Sequence, residues 1–198
     1  MSLPLSTIGM HVTAEAVDDE VQERRLVELA KTDSAAMGRL YQAHYPAIKT
    51  YVCRRVSDSN AAEDIISDTF VAMVKCLPKY RSRGIPFRVW LYRIATNLIS
   101  KWAKRRQRWA MGQWEESERC ETESDAVRAP DVEMIELVMA TLPPRLQSVL
   151  SLHYLEGMKI AEIADVVDRS IGTVKSQLHD GRSLMRSRLE KRGFTNDQ

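Results

Sequence analysis

Between Asn60 and Leu77 the apolar residues keep to one helical face. Ala62, Ile65, Ile66, Thr69, Phe70, Met73, Val74 and Leu77 follow the i, i+3, i+4, i+7 rule. Asn60 followed three residues later by Glu63 makes a capping-box-like start, and Asp64 adds negative charge to the positive first turn. The opposite face carries Glu63, Asp64, Ser67 and Asp68, which either keep the helix soluble or offer an acidic patch to a basic partner. Helical spacing of this kind recurs along the chain and strand-like alternation is absent. With only 8 Gly and 7 Pro in 198 residues there are few break points. The expected fold class is all-α.

The helical signal is interrupted once. Residues 1–22 lack clear periodicity and read as an N-terminal tail, and helical patterns fill 23–108. Residues 109–131 turn polar and acidic around Gly112 and Pro130, as a linker does; helical patterns resume over 132–192 and leave a short tail at 193–198. Two small helical domains joined by a flexible acidic linker are therefore expected, with no internal repeat. No apolar run approaches the roughly 18 residues of a membrane helix, and the segment Met1 to Ala16 does not read as a secretory signal. Cys53, Cys76 and Cys120 are odd in number and widely spaced, so neither a disulfide framework nor a zinc ribbon is expected, and a reducing cytoplasm is the natural setting.

A net charge of +2 hides two basic blocks. Residues 101–109 hold five bases and no acid, and 175–192 hold six bases against Asp180 and Glu190. Between them, 115–125 hold six acids and one base. Basic blocks at two places can touch two stretches of polyanion, although charge runs on helices commonly serve as solvated faces only.

After a loop at 78–85 that contains Lys79, Tyr80, Arg81 and Arg83, Pro86 stands where a first helical turn tolerates proline. The helix it opens, over 87–108, has an apolar stripe of Phe87, Leu91, Ile94, Ala95, Leu98 and Trp102. Another face carries Trp90, Asn97, Lys101, Lys104 and Arg108. An aromatic ring, an amide and three cations in line suit single-stranded nucleic acid, by stacking, base-edge hydrogen bonds and phosphate neutralisation. The alternative is that Trp90 packs in the core and the cations are simply solvated.

Further on, residues 159–168 form a short amphipathic helix with Ile160, Ile163, Ala164 and Val167 inward. Residues 169–172 make a turn, and Thr173 opens a second helix anchored by Val174 and Leu178. This is a helix-turn-helix pattern, whose second helix enters a major groove. Its outward residues are Thr173, Lys175, Ser176, Gln177, His179, Asp180 and Arg182. Asp180 either points away from DNA toward Arg169 or accepts a hydrogen bond from a cytosine amino group.

At this point the chain resembles a known family. Residues 40–108, with Ala62-Glu-Asp-Ile-Ile-Ser-Asp-Thr-Phe70 and Phe87-Arg-Val-Trp-Leu-Tyr-Arg-Ile-Ala-Thr-Asn97, resemble region 2 of bacterial sigma factors. Residues 132–192, with Leu142-Pro-Pro-Arg145 and Ile171-Gly-Thr-Val-Lys-Ser176, are similar to sigma region 4. No region 1.1 or region 3 fits, which points to the extracytoplasmic-function (ECF) class. The resemblance implies a promoter-recognition subunit of RNA polymerase. Asp64, Ser67 and Asp68 would dock on the β′ coiled coil, with Ser67-Asp68 standing where the family often has Gln-Glu, and region 4 would meet the β flap. Tyr80, Trp90, Asn97, Lys101, Lys104 and Arg108 would bind and melt the −10 element. Thr173, Lys175, Ser176, Gln177, His179 and Arg182 would read the −35 element. The acidic linker would thread toward the RNA path. An anti-sigma factor, no cofactor, no metal, no membrane insertion and a monomeric free state are further implications.

Two rival readings are weaker. His11, His44, His153 and His179 are scattered and no hydrolase, Walker or dinucleotide motif occurs, so an enzyme is disfavoured. A helix-turn-helix repressor or activator accounts for the second domain but leaves the face of Trp90, Asn97 and Lys101 without a task, and nothing resembles a dimerisation helix.

Overall fold

The computed structural model describes residues 14–82, 84–109 and 130–193. Its helices are α1 (Ala14–Leu29), α2 (Ser34–Cys53), α3 (Ser59–Cys76), α4 (Phe87–Trp109), α5 (Pro130–Thr141), α6 (Pro144–Leu150), α7 (Ile160–Val167) and α8 (Ile171–Glu190). A 3₁₀ turn at Leu77–Lys79 follows α3 and a π-helical turn at Ser151–Leu155 follows α6. No strand occurs among the described residues. The all-α expectation holds.

Three boundaries differ from the sequence reading. Helix α1 begins at Ala14, inside the stretch expected as a tail. Its apolar residues lack a sharp 3.6-residue period, so its helicity rests on propensity and on packing against α2. Helix α3 is capped by Asp58, whose carboxylate accepts from the Ala61 amide at 2.9 Å, rather than by Asn60. Helix α8 starts at Ile171, with Ser170 as its cap accepting from the Thr173 amide at 3.2 Å, so Ile171 and Gly172 lie in the first turn instead of before it. Of the expected linker, residues 110–129 lie outside the described residues.

The first helical unit, α1–α4, encloses the buried arc of α3: Ala62, Ile65, Ile66, Thr69, Phe70 and Met73. Burying each large aliphatic or aromatic side chain there stabilises by roughly 1.5–3 kcal/mol. Val74, expected in that arc, is 49% exposed. Helix α4 buries two stripes. Phe87, Leu91 and Ala95 form the expected one, with Ile94, Leu98 and Trp102 half-buried; Val89, Tyr92, Thr96 and Ile99 form a second. The second stripe exists because α4 packs against α2 as well as α3, and against α7 of the other unit. Its polar members are satisfied by partners on other elements: Thr96 Oγ1 lies 2.9 Å from the Tyr51 hydroxyl, and Tyr92 meets the Tyr51 ring edge-on at 5.0 Å.

In the second unit, α8 lies across α5, α6 and α7. Gly181 permits the crossing with α6: a Cβ there would stand 2.9 Å from Leu150 Cδ1 and 3.1 Å from its Cγ. The helix-turn-helix turn is made by Asp168 in the left-handed region (φ 54°), a conformation that Asp tolerates better than most side chains.

Cys53, at the C-terminus of α2, is disulfide-bonded, and Cys76 is free and exposed.

Candidate nucleic-acid interface

The face of α4 that ends in the first basic block is built on an aromatic wedge. Trp90 is half-buried and packs 4.8 Å from Tyr80 and 5.3 Å from Phe87, with Tyr80 edge-on to Phe87 at 5.5 Å. The indole therefore packs partly against the core, and the rest of it reaches the surface. Burial is the largest influence on Tyr80 and raises its phenol pKa above the usual value. About two, three and four turns further along the helix, Asn97, Lys101 and Lys104 are exposed. Arg108 falls within α4, but its side chain lies outside the described residues. Arg106 is engaged: its guanidinium stacks over Trp102 at 5.4 Å and donates to Ser57 at 3.0 Å. The loop and α4 thus bring Tyr80, Trp90, Asn97, Lys101 and Lys104 onto one side of the first unit.

Helix α8 presents the second surface. Lys175, Ser176, His179, Asp180 and Arg182 are exposed, while Thr173 and Gln177 are half-buried. Val174, Leu178 and Gly181 hold the opposite face in the core. Thr173 is not wholly free to reach outward, because its hydroxyl lies 2.9 Å from that of Ser170 in the cap. Arg169 donates to the Asp168 carbonyl at 3.4 Å, and no ion pair joins it to Asp180 among the described residues. The expected Arg169 partnership is not formed.

Asp64, Ser67 and Asp68 are exposed on α3. Sequence reasoning missed what continues the row. Val71, 43% exposed, and Val74 extend the acidic face with apolar surface. The signal was present, since Val71 stands four residues after Ser67. Also missed was an apolar groove of about 520 Å³ on the second unit, lined by Ile135, Met139, Leu150, Tyr154, Leu155 and Met185 among others. Tyr154 there is 53% exposed. No group of three or more His, Cys, Asp or Glu residues suited to a metal occurs among the described residues, and no helix among them is long and apolar enough to cross a membrane.

An α4 face that joins an aromatic wedge to an amide and cations, followed in the chain by a helix-turn-helix, defines a class: helical proteins with two separate candidate nucleic-acid surfaces. The family model for Sigma-70 region 2 matches residues 40–109, and that for Sigma-70, region 4, matches residues 133–185. The chain belongs to the sigma-70 family, in its ECF class. The ECF RNA polymerase sigma factor BldN of Streptomyces coelicolor is 29% identical over 173 residues, covering 84% of this chain and 65% of that protein. The ECF RNA polymerase sigma factor SigL of Mycobacterium tuberculosis is 28% identical over 174 residues, covering 86% of this chain and 98% of that protein. The chain thus spans about two thirds of BldN and nearly all of SigL. In fold it is similar to the sigma factor RpoE of Bartonella quintana, solved in complex with the anti-sigma factor NepR. That likeness has a TM-score of 0.67 at 19% identity and covers 81% of this chain and 98% of that one.

Proposed function

We propose that this protein binds core RNA polymerase and directs promoter-specific initiation, catalysing nothing itself. The observation that carries the reading is the pairing, in one chain and in family order, of two exposed nucleic-acid faces on separate helical units. The α4 face of Trp90, Asn97, Lys101 and Lys104, with Tyr80 behind it and Arg108 further along the helix, engages the −10 element once it is single-stranded. Stacking on the indole and hydrogen bonds to the Asn97 amide select bases, and the cations neutralise phosphate. Helix α8 enters the major groove of the −35 element, where Lys175, Ser176, Gln177, His179 and Arg182 meet base edges or phosphates and Thr173 supports the helix start.

Docking on the polymerase falls to α3. Asp64, Ser67 and Asp68 meet a basic coiled coil, and Val71 and Val74 add the apolar contact that holds it. The apolar groove beside Tyr154 receives the β flap. An anti-sigma factor, of the kind found with the Bartonella relative, holds the protein inactive in the cytoplasm, where it is monomeric and needs no cofactor.

Run-off transcription with purified core polymerase tests the reading, on promoters selected by sequencing transcript starts after overexpression. Transcripts that depend on this protein are expected, together with co-elution with core polymerase on gel filtration. A stable duplex DNA complex formed without polymerase, with no co-elution, would establish a conventional helix-turn-helix regulator instead.

A further inference from the structure

Helix α8 ends in a basic cluster that the promoter surface does not use. Arg188 falls close to four turns after the buried Val174, so it stands on the inward side of the helix and meets α5. Ser176 and His179, exposed on the candidate groove-facing side, lie about 200° and 140° round the axis from Val174. Arg188 is also twelve residues beyond Ser176, about 18 Å further along the helix. A duplex held by Ser176 and His179 does not reach it.

The cluster lines a cleft of about 380 Å³ formed by Thr141, Arg188, Lys191 and Arg192. Thr141 donates its hydroxyl hydrogen to the Val138 carbonyl at 2.6 Å, so its oxygen is left to accept, and Arg188 Nη1 donates to it at 2.6 Å. That contact pins the guanidinium and leaves its other N–H groups uncommitted. Arg192 Nη1 meets the Met134 sulfur at 3.8 Å, a weak acceptor for a strong donor. Backbone amides of Lys191, Arg192 and Gly193 already take carbonyls in the last turn of α8, so these side chains are not spent as a helix cap. Among the described residues no carboxylate pairs with Arg188, Lys191 or Arg192. Glu190, their neighbour in the chain, lines the apolar groove instead. Three cations gathered without a counter-charge repel one another, and a bound anion removes that cost.

We propose that this cleft is a binding site for a small polyphosphate, an oxyanion of the pyrophosphate type. Guanidinium forks match paired phosphate oxygens, and the lysine adds a point charge. Three cations also balance the several negative charges of a phosphate chain, which a monoanion would leave unmatched. Volume sets the size of the occupant: about 380 Å³ lies within the range of small-ligand pockets. A protein partner engages roughly 20–30 residues, far more than the cleft offers. No aromatic ring lines the cleft among the described residues, so recognition rests on the phosphates and not on a stacked base. Because Arg188 and Thr141 stand on different helices, an occupied cleft ties the end of α8 to α5. The inference goes beyond the promoter reading, and a failed transcription assay would leave it standing.

Isothermal titration of the full chain with inorganic pyrophosphate, in the presence of a metal chelator, tests it. Saturable one-to-one binding is expected. Lys191→Ala and Arg192→Ala should each weaken it by about tenfold or more, the effect of losing a hydrogen bond between charged groups. Both side chains are exposed, so neither change threatens the fold. Arg188→Ala should weaken it at least as much. Arg169→Ala, which removes an exposed cation at the opposite end of α8, should leave binding unchanged. A nucleoside triphosphate that binds more tightly than pyrophosphate would identify a nucleotide as the source of the phosphate chain, and equal affinity would identify the chain alone; both support the site. No saturable binding at millimolar pyrophosphate would overturn the proposal. So would full binding by Lys191→Ala and Arg192→Ala together, or a loss as large in Arg169→Ala. Orthophosphate bound as tightly as pyrophosphate would reduce the cleft to a general positive patch, and tighter binding of a short poly-glutamate peptide would make it a protein-docking surface; either result also overturns the proposal.

Discussion

Tyr92 and Glu156 meet across the junction of the two helical units, the phenol of α4 donating to a carboxylate at the end of the π-helical turn. Burial holds Glu156 above the ordinary carboxylate pKa, outweighing the Tyr92 hydrogen bond and the Arg54 and Arg88 charges, all of which pull it down. Burial also pushes the Tyr92 phenol up, reinforced by the Glu156 charge. A carboxyl whose folded pKa is raised binds protons more readily in the folded state. Its contribution is complete below the ordinary value of 4.5 and is lost as pH rises through the raised value.

Glu156→Gln should therefore remove a penalty that the wild-type protein carries at neutral pH, since the amide oxygen still accepts from Tyr92. Thermal melts across pH 5 to 8 check this. The variant should gain on the wild type as pH rises through that range and converge with it toward pH 5. A constant difference across the range would show that the carboxyl does not titrate there.

Gly181 should resist substitution by anything branched. A Cβ at this position already presses on Leu150 Cδ1 and Cγ, and a valine adds two methyl groups to the same space. Gly181→Val should destabilise by about 1–3 kcal/mol through overpacking. Gly181→Ala should cost less, because helix propensity returns up to about 1 kcal/mol. Urea denaturation of the full-length variants gives both numbers, and an Ala variant less stable than the Val variant would contradict the steric account.

These two sites mark the limit of what the sequence showed. The face of Ala62, Ile65, Ile66, Thr69, Phe70 and Met73 was legible because its period and its packing partners belong to the same small unit. The helix-turn-helix was legible because Val174 and Leu178 anchor it at a fixed offset from the turn. Val89, Tyr92, Thr96 and Ile99 also sit at helical spacing, but their burial depends on α2 and α7, which no local pattern in α4 announces. Gly181 read as an ordinary helix residue because the backbone approach it permits involves Leu150, thirty-one positions away. For the candidate site, the residue types were legible and their degree of exposure was not: Trp90 and Thr173 each spend part of their surface on local packing.

Asn97 is exposed on α4, off both buried stripes, so Asn97→Ala should leave the fold and polymerase binding intact. Lost base-edge hydrogen bonds should reduce discrimination at one −10 position by about 1–3 kcal/mol. Open-complex formation on duplex promoters and on pre-melted bubbles measures this. An equal loss on bubbles lacking −10 bases would assign the effect to something other than base readout.

The α3 surface is expected to respond to charge at Asp64 and Asp68 and to apolar area at Val71. Asp64→Arg with Asp68→Arg should abolish competition for core polymerase while circular dichroism stays helical. Val71→Ser should weaken binding without changing its salt dependence, because it removes apolar contact and no charge. Normal competition by the double arginine variant would leave α3 as a solvated face.

Asp180 sets the last test. It is exposed on α8, four residues after Ser176 and seven after Thr173, turned away from the buried Val174 and Leu178. No cation pairs with it among the described residues: Arg169 binds the Asp168 carbonyl instead, and the residues three and four positions away are Ser176, Gln177, Ser183 and Leu184. Asp180 is nine residues into α8, beyond the first turns that reach base edges in a helix-turn-helix. With α8 docked as proposed, it is expected to face phosphate rather than a base. Asp180→Ala should tighten binding to every −35 variant alike, by on the order of 0.5 kcal/mol for unit charges ~8 Å apart in water. The gain should shrink as salt rises and the phosphate charge is screened. Holoenzyme binding to a panel of −35 sequences at two salt concentrations distinguishes the outcomes. Relaxed preference at a single base pair would show that the carboxylate reads a cytosine. No change on any sequence would place the side chain clear of DNA altogether.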